Sequence, residues 1–62
     1  MFKKLFVILV DGFEVNVIAD DYIEAEEHCY KFFDFSTIKL QDYKEIYTSE
    51  MFPCFVERHK YA

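Results

Sequence analysis

The stretch from Phe2 to Ala19, FKKLFVILVDGFEVNVIA, decides the fold. Asp11-Gly12 sits in it between two apolar runs, Phe2–Val10 and Phe13–Ala19. Both central residues of a type I′ turn need φ > 0, which Gly adopts freely and Asp tolerates, so the pair predicts a β-hairpin with a two-residue turn. A turn of that length also sets the register, with Val10 opposite Phe13, Ile8 opposite Val15 and Phe6 opposite Val17. These apolar side chains share one face. On the other face Leu5, Val7 and Leu9 stand opposite Ile18, Asn16 and Glu14, half apolar and half polar. That second face is expected to be covered by the C-terminal segment or presented to a partner.

After Ala19 the apolar period becomes helical. Tyr22, Ala25, Cys29 and Phe32 recur at helical spacing and Phe33 extends the stripe, which predicts a helix over Tyr22–Phe33. Asp21 is the expected N-cap and Glu24 the return partner of a capping box. The outward face then carries Glu24, Glu27, His28 and Lys31, with Glu26 and Tyr30 at its flanks. Beyond Asp34, Ile38 and Leu40 alternate with Lys39 and Gln41 as in a half-buried strand over Ser36–Leu40. Asp42 interrupts the alternation and Tyr43–Thr48 resumes it, so either one long strand with a bulge or two short ones follow. Ser49-Glu50 supplies a turn. Phe52–Arg58 reads as a last strand, which Pro53 confines to an edge or to a strand start because it has no N–H for a ladder. The expected architecture is α+β, in the order ββαββ: a single domain over residues 1–62, with an antiparallel sheet of three to four strands and one helix packed on one face.

Composition bounds what such a domain can do. With 53% hydrophobic residues, one Gly and one Pro in 62 residues, the chain is not of disordered type. A chain this short buries only roughly 60% of its unfolded surface, so its core is small. Eight Phe and five Tyr exceed what that core encloses, and rings left at the surface mark an interface. Lys3-Lys4 followed by the apolar run Leu5–Val10 has the outline of a signal peptide. The run is too short for export or for a membrane span and no small-residue cleavage site follows, so the expected location is cytoplasmic, without membrane contact. Cys29 and Cys54 are expected as reduced thiols. His28, Cys29, Cys54 and His59 form a two-Cys, two-His set, but His28 and Cys29 are adjacent on the helix and point about 100° apart, so no metal site is expected. Glu24 with His28, or Cys29 with His28, are only surface neighbours, the chain has little room for an enclosed pocket, and one glycine cannot form a phosphate-cradling loop. The expectation is therefore no enzyme and no cofactor.

Charge is the remaining signal. Eight of the twelve acids lie between Asp11 and Asp34 with one base, Lys31, so that segment carries −7 while the rest of the chain sums to +2. A flank of this sign repels nucleic acid and attracts basic protein surfaces, and with only scattered bases in a chain of net charge −5 no direct nucleic-acid binding is expected. Part of the charge has structural duties, Asp11 in the turn, Asp21 as the cap and Glu24 in the capping box, and acids in the first helical turns complement the dipole. Glu14, Glu26, Glu27 and Asp34 have no such duty. Together with Asp20, these residues make the candidate partner-binding surface Asp11, Glu14, Asp20, Asp21, Glu24, Glu26, Glu27 and Asp34. The half-apolar hairpin face, Leu5, Val7, Leu9 and Ile18, is the candidate dimer face.

The run Phe13-Glu14-Val15, three residues, Ala19, four residues, Glu24-Ala25 resembles the strand-to-helix junction of a family of small bacteriophage proteins that inhibit the host RNA polymerase. Pro53-Cys54 is similar to that family's ending, and the same junction resembles some small phage-encoded anti-CRISPR inhibitors. A long apolar strand and an Asp-Gly hairpin precede the shared run here, and Asp34–Phe52 is longer, so no residue roles are carried over. The resemblance implies a class: phage proteins that block a host machine by binding it. Joined to the charge reading, it suggests a non-enzymatic inhibitor docking an acidic hairpin–helix surface on a basic face of an RNA polymerase, a CRISPR effector or a nucleoid protein. The alternative is a homodimeric structural module with no inhibitory role.

Overall fold

Asp11 and Gly12 adopt φ of 49° and 86°, the left-handed pair that a type I′ turn requires. A computed structural model describes residues 1–56 of the chain. In it the hairpin strands β1 (Phe2–Val10) and β2 (Phe13–Ala19) pair in the expected register, from Val10 opposite Phe13 to Lys4 opposite Ala19. The helix α1 (Tyr22–Phe32) follows, then β3 (Ile38–Tyr47) and β4 (Cys54–Phe55). The sheet is antiparallel with strand order β3-β1-β2-β4, so the hairpin is its centre and the two later strands flank it.

The helix starts where a capping pair places it. Asp21, in extended conformation, accepts from the Glu24 N–H at 2.8 Å, and the Glu24 carboxylate accepts in return from the Asp20 N–H at 2.9 Å. The return bond thus reaches one residue before the cap, a shifted form of the expected box. At the other end Phe33 is the C-cap, already extended, with its N–H on the Cys29 carbonyl at 2.8 Å, so the helix closes one residue before the expected end.

One core lies between helix and sheet. Phe6, Ile8 and Val10 from β1, Val17 and Ala19 from β2, and Ala25 and Cys29 from α1 form it, with Ile38, Leu40 and Phe55 packed against its margins. The apolar stripe of the helix is buried only at Ala25 and Cys29. Phe32 and Phe33 were expected to extend it, yet both are exposed; among the described residues of β4 one ring, Phe55, meets them.

The strand after the helix is one bulged strand. Its pairing with β1 steps from Val7–Asp42 to Ile8–Leu40, leaving Gln41 as the extra residue. The bulge changes which side chains face the helix: Ile38 and Leu40 do so before it, Tyr43, Glu45 and Tyr47 after it. This is how Tyr43 comes within 5.9 Å, ring to ring, of core residue Phe6. The strand begins at Ile38, two residues later than expected, because Ser36 and Thr37 serve another purpose. Their backbone N–H groups donate to the Asp11 carboxylate at 3.1 and 2.9 Å, the Thr37 hydroxyl donates to it at 3.2 Å, and the Asp11 N–H returns a bond to the Thr37 carbonyl. Asp11 therefore clasps the start of β3 to the hairpin turn, a duty beyond the turn itself.

The last strand begins at Cys54, two residues later than expected, and its described part is Cys54–Phe55. Cys54 and Phe55 pair with Ile18 and Val17, and the Val56 N–H adds a bond to the Asn16 carbonyl. Pro53 precedes this edge strand. The expected continuation to Arg58, and the ligand candidate His59, lie outside the described residues. Cys29 and Cys54 are not joined in a disulfide: Cys29 is in the core on the helix side, Cys54 stands opposite Ile18 on the reverse face, and the sheet separates them. Burial raises the Cys29 thiol pKa, with the Glu26 carboxylate adding to the effect, which leaves it unreactive.

Candidate functional site

The eight acids of the segment from Asp11 to Asp34 do not form one surface. Glu14 stands opposite Leu9 on the reverse face of the sheet, away from the helix. Asp20 is engaged by Lys3, whose ammonium lies 2.8 Å from its carboxylate. Lys3 is only 4% exposed, and the hydrogen bond it donates to Asp20 outweighs the opposing effect of burial and raises the lysine pKa. Glu26 serves the Tyr22 phenol, whose pKa is raised by burial and then by the Glu26 charge and hydrogen bond.

Two groups remain. Asp11 and Asp34 border an apolar cleft of about 260 Å³ at the turn end of the hairpin, walled by Phe13, Val15, Phe33 and Phe35. At the start of the helix, Asp21, Glu24 and Glu27 line a groove of about 400 Å³ together with Ile23, His28, Lys31 and Pro53. In this second group Glu27 has no hydrogen bond or ion pair to any described residue, and its side chain is exposed. His28 packs between the rings of Phe32 and Phe55, at 4.8 and 4.5 Å. Burial, helped by the Lys31 charge, lowers its pKa and favours the neutral imidazole, and among the described residues Lys31 is the one cation lining the groove. The groove keeps a negative balance.

Pro53 and Ile23 were not among the candidates. Pro53 reaches the helix only because β4 docks on the far side of β2, a placement that no local spacing encodes. Ile23 did leave a trace in the sequence: it is an apolar residue off the buried stripe, and it is 68% exposed in the midst of carboxylates. An apolar side chain ringed by acids is the composition expected where a basic side chain with an alkyl stem docks.

The candidate dimer face changes as well. Leu5 and Ile18 are buried within the single chain, so they are not available to a second copy, and only Val7 and Leu9 of that set are half-exposed. Asn16, opposite Val7 in the sheet, is buried, and its Oδ1 has no hydrogen-bond partner among the described residues.

Asp11 offers a test by pH. The N–H of Thr37 foremost, then that of Ser36, hold its carboxyl below the ordinary range, against a small opposing effect of desolvation. A pKa depressed on folding contributes stability that is present above the unfolded value, near 3.9, and is lost as pH falls through the lower folded value. Thermal melts followed by circular dichroism should thus show Asp11→Asn less stable than wild type at neutral pH, with the gap closing below about pH 4. A gap that is as wide at low pH as at neutral pH would show that the charge of Asp11 is not what the clasp uses.

Among the described residues no group of three or more His, Cys, Asp or Glu side chains is placed to hold a metal ion, and no helix is long and apolar enough to cross a membrane. Comparison with protein-family models, with curated proteins and with solved structures finds no match for the chain.

Proposed function

We propose that this chain is a non-enzymatic inhibitor of the phage type, which docks its acidic helix groove on a basic face of a host protein that handles nucleic acid. An RNA polymerase, a CRISPR effector and a nucleoid protein are the candidate hosts. The observation that carries the reading is the grouping of Asp21, Glu24 and Glu27 around Ile23 and Pro53 in one open groove. An Arg or Lys entering it finds carboxylates for its charged head and apolar atoms for its stem. The resemblance of the strand-to-helix junction to phage inhibitors supports the class. The charge supplies the mode of action, since an acidic protein seated on a basic channel competes with the nucleic acid that would occupy it.

The test uses the full chain, immobilised, with each purified candidate host protein in turn. Binding should weaken as salt rises. Glu27→Lys should weaken it by about tenfold or more, because it reverses a charge inside the groove without touching the helix cap. Glu14→Lys, the same change on the reverse face, should alter it by about twofold at most. Equal losses from the two reversals, affinity indifferent to salt, or binding by none of the three candidates would overturn the reading.

A further inference from the structure

The two edges of the sheet are built differently. On one side β4 is two residues long and follows Pro53, which suits an edge that must not pair further. On the other, β3 presents ten residues, Ile38–Tyr47. A long edge is ordinarily blunted by charged side chains, by Pro or by a bulge, and the bulge of β3 at Gln41 leaves the stretch from Asp42 to Tyr47 regular. This strand carries Lys39 and Lys44 against Asp42 and Glu45 and is electrically neutral, in a chain of net charge −5.

We propose that β3 pairs antiparallel with β3 of a second copy, about a two-fold axis through Tyr43, joining the two sheets into one. The register follows from charge. A two-fold axis normal to the sheet keeps every residue on its own face, so residues directly opposite one another must share a face. Beyond the bulge, Tyr43, Glu45 and Tyr47 point to the helix side and Asp42, Lys44 and Ile46 to the reverse. An axis at Asp42, at Lys44 or at Glu45 sets that charge against its own copy. An axis at Ile46 leaves most of the strand unpaired. An axis at Tyr43 sets Asp42 of each copy opposite Lys44 of the other, two complementary pairs, for which both side chains exchange contacts made within the single chain.

The same axis suits the apolar side chains. Tyr43 is 56% exposed, and next to it the edge-to-face pair of Phe2 and Tyr47, with ring centres 5.0 Å apart, lies on the helix side beyond the cover of α1. Pairing brings the two Tyr43 rings together on the axis and joins the exposed aromatic strips of both copies. With Gln41 skipped as the bulge residue, Ile38 of one copy meets Tyr47 of the other. In the single chain the Asp42 carboxylate accepts from the Tyr43 N–H at 2.8 Å, and on association it exchanges this local bond for the second copy's Lys44. One paired strand is a small interface, so the dimer is reversible and depends on concentration.

Sedimentation equilibrium of the full chain from about 10 µM to about 1 mM should show a monomer–dimer equilibrium. Lys44→Asp, which turns both attractive pairs repulsive, should raise the dissociation constant about tenfold or more. The exchange Asp42→Lys with Lys44→Asp should restore it to within about threefold of wild type. Circular dichroism establishes that each variant is folded. A monomer at every concentration, no response to Lys44→Asp, or a folded exchange variant that stays monomeric would overturn the proposal. If Lys44→Asp does not fold, the register is decided by oxidation: Tyr43→Cys should give a covalent dimer faster than either Glu45→Cys or wild type, since paired Cα atoms at the axis lie within disulfide reach. Equal rates would refute it. The interface is separate from the helix groove, so Glu27→Lys leaves dimerisation unchanged whether or not the groove binds a host protein.

Discussion

Ile8→Ala is expected to remove about 2–5 kcal/mol of stability and to lower Tm by at least about 10 °C. Ile8 is fully buried in the central strand, opposite Val15 on one side and Leu40 on the other, in the middle of the only cluster that joins helix to sheet among the described residues. Truncation forfeits the transfer of three carbons and leaves a void that pleated neighbours on both sides cannot close. A domain of this size has in total about 3–9 kcal/mol, so the variant should be unfolded in substantial part near 37 °C. Phe52→Ala is the control: Phe52 is larger but 76% exposed, and its loss should change stability by about 0.5 kcal/mol or less. Urea titration of the three proteins checks both statements. Comparable losses from Ile8→Ala and Phe52→Ala would mean that the core described here does not carry the fold.

Asn16→Leu should act in the opposite direction, raising stability by about 1–3 kcal/mol. Asn16 occupies the reverse face of β2 beside Val7, and it is 8% exposed, with no hydrogen-bond partner for Oδ1 among the described residues. A buried acceptor without a donor forfeits the hydration it had in the unfolded chain and receives nothing in exchange. Leucine has nearly the same shape and no such group, and it matches its neighbours Leu5, Val7 and Ile18. Tm should rise by several degrees, about 4–8 °C per kcal/mol in a domain of this size. A fall in Tm would show that the amide is satisfied after all and that the reverse face depends on it.

Much of the local structure is legible in the sequence. Asp11-Gly12 forces one turn and therefore one register, because a two-residue loop leaves no slack. Asp21 with Glu24 marks the helix start for a similarly local reason, the need of the first N–H groups for an acceptor within three residues. Pro53 marks an edge because it lacks a donor. The bulge was visible as a break at Asp42, but whether it joined one strand or separated two depended on β1 lying alongside to hold both halves.

The candidate surface was legible only in part. The count of acids between Asp11 and Asp34 is a property of the chain, but a hairpin strand alternates its side chains and a sheet has two faces, so neighbours in sequence such as Phe13 and Glu14 are sent to opposite sides. Asp20 could not be recognised as the partner of Lys3 without the strand pairing that brings residues 17 positions apart together. Likewise Phe32 and Phe33 have the spacing of core residues. They are exposed because, among the described residues, the strand beside them offers only Phe55 to cover them.

The sequence by itself determined the hairpin with its register, the helix with its cap, and the excess of negative charge, all of which depend on residues within a few positions of each other. Only the tertiary structure decided that β3 and β4 flank the hairpin on opposite sides, that Pro53 meets Ile23 and Glu27 at a groove, and that Asp11 clasps Thr37. These rest on strand pairings and packing between distant segments, whose energies are set by the whole assembly of side chains and not by the spacing within any one of them.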